Sequence, residues 1–410
     1  YLEDLLSTLA SHSDIYNTSL SLVVAKNSTL NAFAVPGGVI GIHTGLLQHA
    51  KTEQQLASVI SHELAHLSQR HYARGVEKQK GQTLKIMAGL LAGLILAANS
   101  DGDAGAAAIS ATQAYAIDQQ LRFTRSFERE ADRIGMSIMA KAGMSPHATA
   151  EMFEEMDKLT RFSSKPPEFL LTHPLTTNRQ IDALNLARQY AKKVIPDNIN
   201  YQFVRARAIL ETTESPQQAI QRFKDELSGF DTSVEGNRYG LMLAFTENRQ
   251  YDKADELLNG LLSTYPDNVI LQISKSRILA GKNQLDDAVG IIQQQMTLYP
   301  NYYPLAFQLS QIYREHGNYG KAITVLNELS EKRPEDPVIW YELAEIAGLS
   351  SQLSTLNKAR AEYFILHANF DNAEQQLNAL IEREKAGSPL QEYGKERLQE
   401  LDTIRKRSKL

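Results

Sequence analysis

Ser61-His62-Glu63-Leu64-Ala65-His66-Leu67 is the stretch on which the reading of this chain turns. His62 and His66 stand four residues apart, which on an α-helix stacks both imidazoles on one face, about one turn from each other. Glu63 is turned by roughly 100° from His62. Its carboxylate therefore reaches a water held at the histidines without itself becoming a ligand. Two imidazoles for zinc and one carboxylate as general base make up the H-E-x-x-H arrangement. The helix it needs is well signalled. Thr52 with Gln55 reads as a capping box, and Leu56, Val59, Ile60, Leu64 and Leu67 give a broad apolar stripe to bury. The same letters also occur on helices whose two histidines are simply exposed or packed in a core. A third ligand has to decide.

The candidate lies on the next long helical pattern, Gln113 to Lys141, which Gly143 closes from just beyond its end. It carries Glu128-Arg129-Glu130-Ala131-Asp132. Glu128 and Asp132 are four apart and project from one face. Glu128 suits the third ligand position. Asp132 then accepts the free ring N–H of a ligand histidine and fixes its tautomer. Glu130 points elsewhere and reads as ordinary surface charge. Ser145-Pro146 opens a further helix that runs to about Thr160. Beyond it, Thr172-His173-Pro174 forms a loop in which proline holds His173 extended. His173 is expected to approach the metal as a fourth ligand, occupying the water position and keeping the site off until the loop is drawn away. The alternative is a loop histidine bonded to the helix beneath. His71 lies beyond the ligand face, His43, His49 and His147 have no partner spacing, and all four are expected at the surface. Arg125 and Arg179 could stabilise an oxyanion but read more readily as ion-pair partners.

Upstream, Leu20–Lys26, Leu30–Val35 and Val39–Ile42 read as strands, the last two joined by the turn Pro36-Gly37-Gly38. The edge of this small sheet could hold an extended peptide by strand addition, or the strands form a plain meander. Gly81 to Ala116 is rich in Ala and Gly and contains Gly89-x-x-x-Gly93. Its apolar run Ile86 to Ala98 is 13 residues long, about 20 Å as a helix against a hydrocarbon core of about 30 Å. No transmembrane span is expected. The run reads as a buried helix, with a lid or a peripheral membrane contact through 86–98 as the other readings.

Composition sets bounds. Of 410 residues, 42% are hydrophobic and 22% charged, with a net charge of −5. The values are those of an ordinary globular protein, and nothing favours nucleic acid as a partner. The absence of cysteine excludes a disulfide scaffold, a thiol nucleophile and a thiolate metal site. Any zinc must be held by histidine and carboxylate. The chain opens directly in a helical pattern (Leu2, Leu5, Leu6, Leu9), as a mature or trimmed form would.

The second half repeats. Ala254, Ala288 and Ala322 are 34 apart, and so are Pro266, Pro300 and Pro334, and Tyr251, Leu285 and Tyr319. That is the tetratricopeptide period, with small residues where paired helices touch. The cleanest unit runs from Tyr303 to Asp336. Weaker units surround Ala219 and Ala373, and Leu343 to Leu353 is expected to interrupt the period. The chain is thus expected to be mostly α, with domains at 1–195 and 196–410.

Together, His62-Glu63-x-x-His66, the Glu128-x-x-Ala131-Asp132 helix, Asn31-Ala32-Phe33-Ala34-Val35-Pro36-Gly37-Gly38 and Thr172-His173-Pro174 resemble the zinc metalloproteases of the HtpX and CAAX prenyl protease type, over about residues 1 to 190. The chain departs from the usual Ser-Arg before the third ligand, having Thr124-Arg125-Ser126-Phe127-Glu128. The resemblance implies a gluzincin-type domain with one Zn2+ on His62, His66 and Glu128, and with Glu63 activating the water. It also implies a substrate lying along the edge strand Asn31, Ala32, Phe33 and Ala34. Joined to repeats and lacking transmembrane helices, the chain is similar to a periplasmic bacterial branch of these proteases. That similarity implies quality control of unfolded or stalled outer-membrane β-barrel proteins, chaperone-like assistance, and contact with the barrel-assembly machinery through the repeats. The competing class is a protein-binding scaffold with a structural or self-inhibited zinc site.

Overall fold

The computed structural model describes residues 1–16, 19–77, 125–162, 166–192, 194–229 and 233–408. The Gly81–Ala116 segment, its 86–98 apolar run and the front of the expected 113–141 helix lie outside the described residues. The chain divides into two compact units, Tyr1–Asn248 and Arg249–Leu410.

In the first unit, α1 (Leu2–Ser11) buries Leu5, Leu6 and Leu9. A three-stranded sheet follows, made of β1 (Ser21–Ala25), β2 (Ala32–Val35) and β3 (Val39–His43) in the order β1-β3-β2. β1 runs parallel and β2 antiparallel to β3. The β2–β3 turn needs positive φ at Gly37 (106°) and Gly38 (88°), which glycine adopts without strain. β2 is an edge. His43 N–H donates to Asn31 O, and Ala32 stands opposite Ile42. By the alternation of an antiparallel ladder, Phe33 and Val35 bond to β3, and the backbone groups of Ala32 and Ala34 face the open side.

After α2 (Thr44–His49) comes α3 (Glu53–Ser68). The Thr52 hydroxyl caps it, accepting from Gln55 N–H at 3.3 Å, while Gln55 Oε1 accepts from Lys51 N–H. Every residue from Gln55 to His66 is buried, so this helix is enclosed on all sides, more than a one-sided stripe requires. Leu56, Ile60 and Leu64 are fully buried, each contributing about 1.5–3 kcal/mol from area removed from water. α3 ends in a left-handed turn at Arg70 (φ 52°), after which α4 (His71–Glu77) begins.

α5 (Arg125–Lys141) crosses α3 closely. A Cβ on Gly135 would lie 3.1 Å from the His62 nitrogen and 3.1 Å from the Ser61 carbonyl carbon. These are backbone atoms that cannot swing aside. Gly135→Ala should therefore part the two helices and lower stability by about 1–3 kcal/mol, read as a fall in the urea midpoint; an unchanged midpoint would show that the crossing has slack. α6 (His147–Phe162), α7 (Glu168–Thr172) and α8 (Thr177–Ala187) complete the surround.

α9 (Ile199–Glu211), α10 (Pro216–Leu227) and α11 (Val234–Glu247) belong to the same unit. Tyr201 Oη donates to Ala50 O at 2.5 Å, Gln202 Nε2 to Lys51 O at 2.8 Å, and Arg205 to Gln48 O at 3.1 Å. The first repeat-like helices after residue 196 are thus bolted to the loop and helix that precede α3.

The second unit runs from α12 (Tyr251–Thr264) to α20 (Pro389–Ser408). Ala254, Ala288 and Ala322 are fully buried, as helix contacts through small residues require. Left-handed residues mark the tight turns at Arg249, Asn283, Gly317 and Ser351, each 34 after the last. The next falls at Ala368, half a period on. The interruption expected at 343–353 therefore comes one helix later: Pro337–Leu349 is a regular repeat helix, and Leu353–Leu366 is the one followed by the displaced turn. Among the described residues no helix is long and apolar enough to cross a membrane.

Candidate metal centre

α3 and α5 bring the separated motifs together. His62 Nε2 lies 3.0 Å from His66 Nε2 and 3.4 Å from Glu128 Oε2, and His66 Nε2 lies 3.4 Å from Glu128 Oε1. The loop after α7 adds His173, whose Nδ1 is 3.3 Å from His62 Nε2 and 3.1 Å from Glu128 Oε1. One ligand atom from each of His62, His66, Glu128 and His173 falls within 4.8 Å of the others. Two ligands of a tetrahedral zinc at its usual bond lengths stand roughly 3.4 Å apart, so the donors are spaced as the ion requires. Their chemistry, imidazole and carboxylate without thiolate, also fits.

The residues around these four fix their orientation. His62 Nδ1 is 2.9 Å from Asp132 Oδ1. Arg179 meets both Asp132 oxygens at 2.8 Å and Glu128 Oε2 at 3.0 Å, and its Nη1 also donates to the carbonyls of His173 and Pro174. Glu63 is 1% exposed, its Oε1 has no hydrogen-bond partner, and that atom lies 3.5 Å from His173 Nε2. The Ala34 backbone, on the open side of β2, bonds to the Glu63 carboxylate.

Residues 1–187 match Peptidase family M48, and 237–268 and 279–346 match tetratricopeptide repeats. The chain is 31% identical over 410 residues to the β-barrel assembly-enhancing protease of Escherichia coli, covering all of this chain and 84% of the relative. It is 32% identical over 387 residues to the putative β-barrel assembly-enhancing protease of Vibrio cholerae, covering 93% of this chain and 80% of the relative. The chain belongs to peptidase family M48. A shorter likeness, 31% over 168 residues, links this M48 peptidase to the mitochondrial metalloendopeptidase OMA1 of Arabidopsis thaliana, covering 40% of this chain and 31% of that protein. The family implies a metal cofactor, and the four-residue cluster is where the M48 chain offers to hold one.

The ionisable groups of the cluster are strongly coupled to one another. Burial would hold the His62 imidazolium down, but hydrogen bonds to Asp132 and Glu128 outweigh it and lift the ring to about 9. Burial pushes the Glu63 carboxyl up, partly offset by His173 and His62. Burial opposes ionisation of Glu128 as well, yet His173 and His62 hold it well below the usual carboxylate range. Asp132 is likewise held low against its burial, by Arg179 and then His62. Burial, and then the nearby His62 charge, push His66 well below the ordinary imidazole value.

Several residues lie elsewhere than the sequence suggests. His71 is fully buried, with Nδ1 3.0 Å from His66 Nδ1 and Nε2 3.2 Å from Glu130 Oε2. His43 is also buried, bonded to Thr29 and close to Glu168. Neither is a surface histidine. Glu168 accepts from Thr29 and Asn31, and Phe169 N–H donates to Leu30 O, so α7 is clasped to the chain entering β2. Arg125 is exposed, whereas Arg179 is a buried ion-pair partner. No helical spacing flags His71, because the Arg70 turn that brings it back lies beyond the helix.

Proposed function

We propose that residues 1–195 act as a zinc-dependent endopeptidase domain and residues 196–410 as a repeat domain that recruits protein partners. In this reading His62, His66 and Glu128 hold one zinc ion, Glu63 is the general base, and Asp132 keeps the His62 ring in place. The observation that carries it is Glu63. An unpartnered buried carboxylate oxygen beside four ligand atoms has no use in a purely structural site.

A zinc ion bound there supplies Lewis acidity and draws the pKa of a water towards ~7. Glu63 takes the proton from the water as it attacks the scissile carbonyl and then hands it to the leaving nitrogen. The raised carboxyl pKa suits both tasks. The edge formed by Asn31, Ala32, Phe33 and Ala34 receives the substrate as an added strand, with the outward backbone groups of Ala32 and the Ala34 carbonyl aligning it beside Glu63.

His173 is the built-in restraint. Its ring touches both the base and the other ligand side chains. The loop must withdraw before hydrolysis. The same contacts are what an inert scaffold with a self-inhibited site would show, so His173 separates the two readings. His173→Ala should raise degradation of an unfolded β-barrel substrate, about tenfold if the closed arrangement holds nine molecules in ten. Chelation should abolish that degradation, and zinc should restore it. Unchanged or slower cleavage in the variant counts against the restraint, and cleavage that persists in chelator counts against the metalloprotease.

The likeness to β-barrel assembly-enhancing proteases along the whole chain supports the biological setting. The clients are outer-membrane β-barrel proteins in the periplasm of a Gram-negative bacterium. Stalled ones are degraded, and productive ones are assisted through contacts of the repeats with the barrel-assembly machinery.

A further inference from the structure

His66 has a neighbour that neither the motif nor the spacing announces. The left-handed Arg70 (φ 52°) turns the chain back after α3, and α4 opens on His71. Its ring stacks on Phe127, with centroids 4.6 Å apart and planes at 16°. Arg74 lies 4.7 Å from the centroid of the same Phe127 ring and also pairs with Glu130 at 3.2 Å. The His71 ring is thus held by packing, with one nitrogen towards His66 and the other towards Glu130.

We propose that His71 is a positioning residue that holds His66 in the metal-binding tautomer. The inference rests on His66 being a metal ligand. Ring chemistry assigns the hydrogens. A nitrogen facing the ion carries none, so neutral His66 keeps its hydrogen on Nδ1 and donates it to His71 Nδ1. That leaves the His71 hydrogen on Nε2, which lies 3.2 Å from Glu130 Oε2 without forming a hydrogen bond to it. His62 is backed by a carboxylate directly, through Asp132. His66 is backed by an imidazole instead, through His71. Outer partners of this kind are worth about 10–100-fold in metal affinity.

The test is zinc affinity of the full chain, measured by chelator competition. His66→Ala is the control for the underlying reading. His71→Phe fills the space without an acceptor, and His71→Gln keeps an acceptor oxygen. The expected result is a zinc dissociation constant raised about 10–100-fold by His71→Phe and largely recovered by His71→Gln, at unchanged unfolding midpoints in chelator. Wild-type affinity in the phenylalanine variant, or glutamine as weak as phenylalanine, overturns the inference. If His66→Ala also leaves affinity unchanged, the metal reading fails with it; if only the His71 variants are silent, the inference alone fails. Should the phenylalanine variant not fold, nitrogen NMR of the zinc-loaded wild type decides. A hydrogen on His66 Nδ1 and on His71 Nε2 supports the relay, and a bare His66 Nδ1 overturns it.

Discussion

Glu63→Gln is expected to keep its zinc and its unfolding midpoint while peptide hydrolysis falls by about 10²–10⁴-fold, the range lost with a positioned general base. The side chain is almost fully buried, and burial is the main influence raising its pKa. A neutral amide of the same shape therefore sits there without added cost, and the ligand side chains do not depend on it. What it cannot do is take a proton. The substitution should be compared in the His173→Ala background, where the restraint no longer masks the chemistry. If the His173→Ala protein with glutamine at 63 cleaves as fast as the one with glutamate, Glu63 is not the base. If neither cleaves anything, the scaffold reading gains.

Arg179→Leu should cause the largest loss of stability. The guanidinium is 3% exposed and meets both oxygens of Asp132 and one of Glu128. Removing it leaves two buried carboxylates without their guanidinium partner, and losing one partner of a buried pair costs about 3–5 kcal/mol. The penalty should be greatest in the chelator-treated protein, because a bound cation relieves part of it. Lysine should not recover the loss, since a point charge cannot form the paired bonds to Asp132 and also reach the carbonyls of His173 and Pro174. Urea unfolding with and without zinc measures both effects. A loss of less than about 1 kcal/mol, the size expected of an exposed pair, would mean that the network does not hold the site.

Sequence carried the argument wherever helical spacing was enough. The four-residue intervals His62–His66 and Glu128–Asp132 placed each pair on one face, and α3 and α5 deliver them to one point. The 34-residue period of the repeats is legible because the small contact residues recur without insertion. What escaped depended on turns and on enclosure. His71 reaches His66 only because Arg70 takes up a left-handed conformation that no residue pattern announces. His43 and Glu168 meet across a separation in the chain that no local interval encodes. Arg179 was legible as an ion-pair partner, but its central place between two carboxylates and two carbonyls follows from how α8 packs on α5. The half-period at Ala368 was misplaced because Leu353–Leu366 has ordinary helical composition and only its following turn departs from the pattern.

If the open side of β2 receives the substrate as proposed, selectivity follows from that geometry. A groove that grips through amide and carbonyl groups asks little about which side chains pass. It asks whether a segment still has main-chain valences to offer. A completed barrel has satisfied all of its own around the closed circle of strands, whereas an arrested precursor keeps an unzipped margin. Discrimination between finished and failed products then needs no recognition sequence, since closure itself removes the handle.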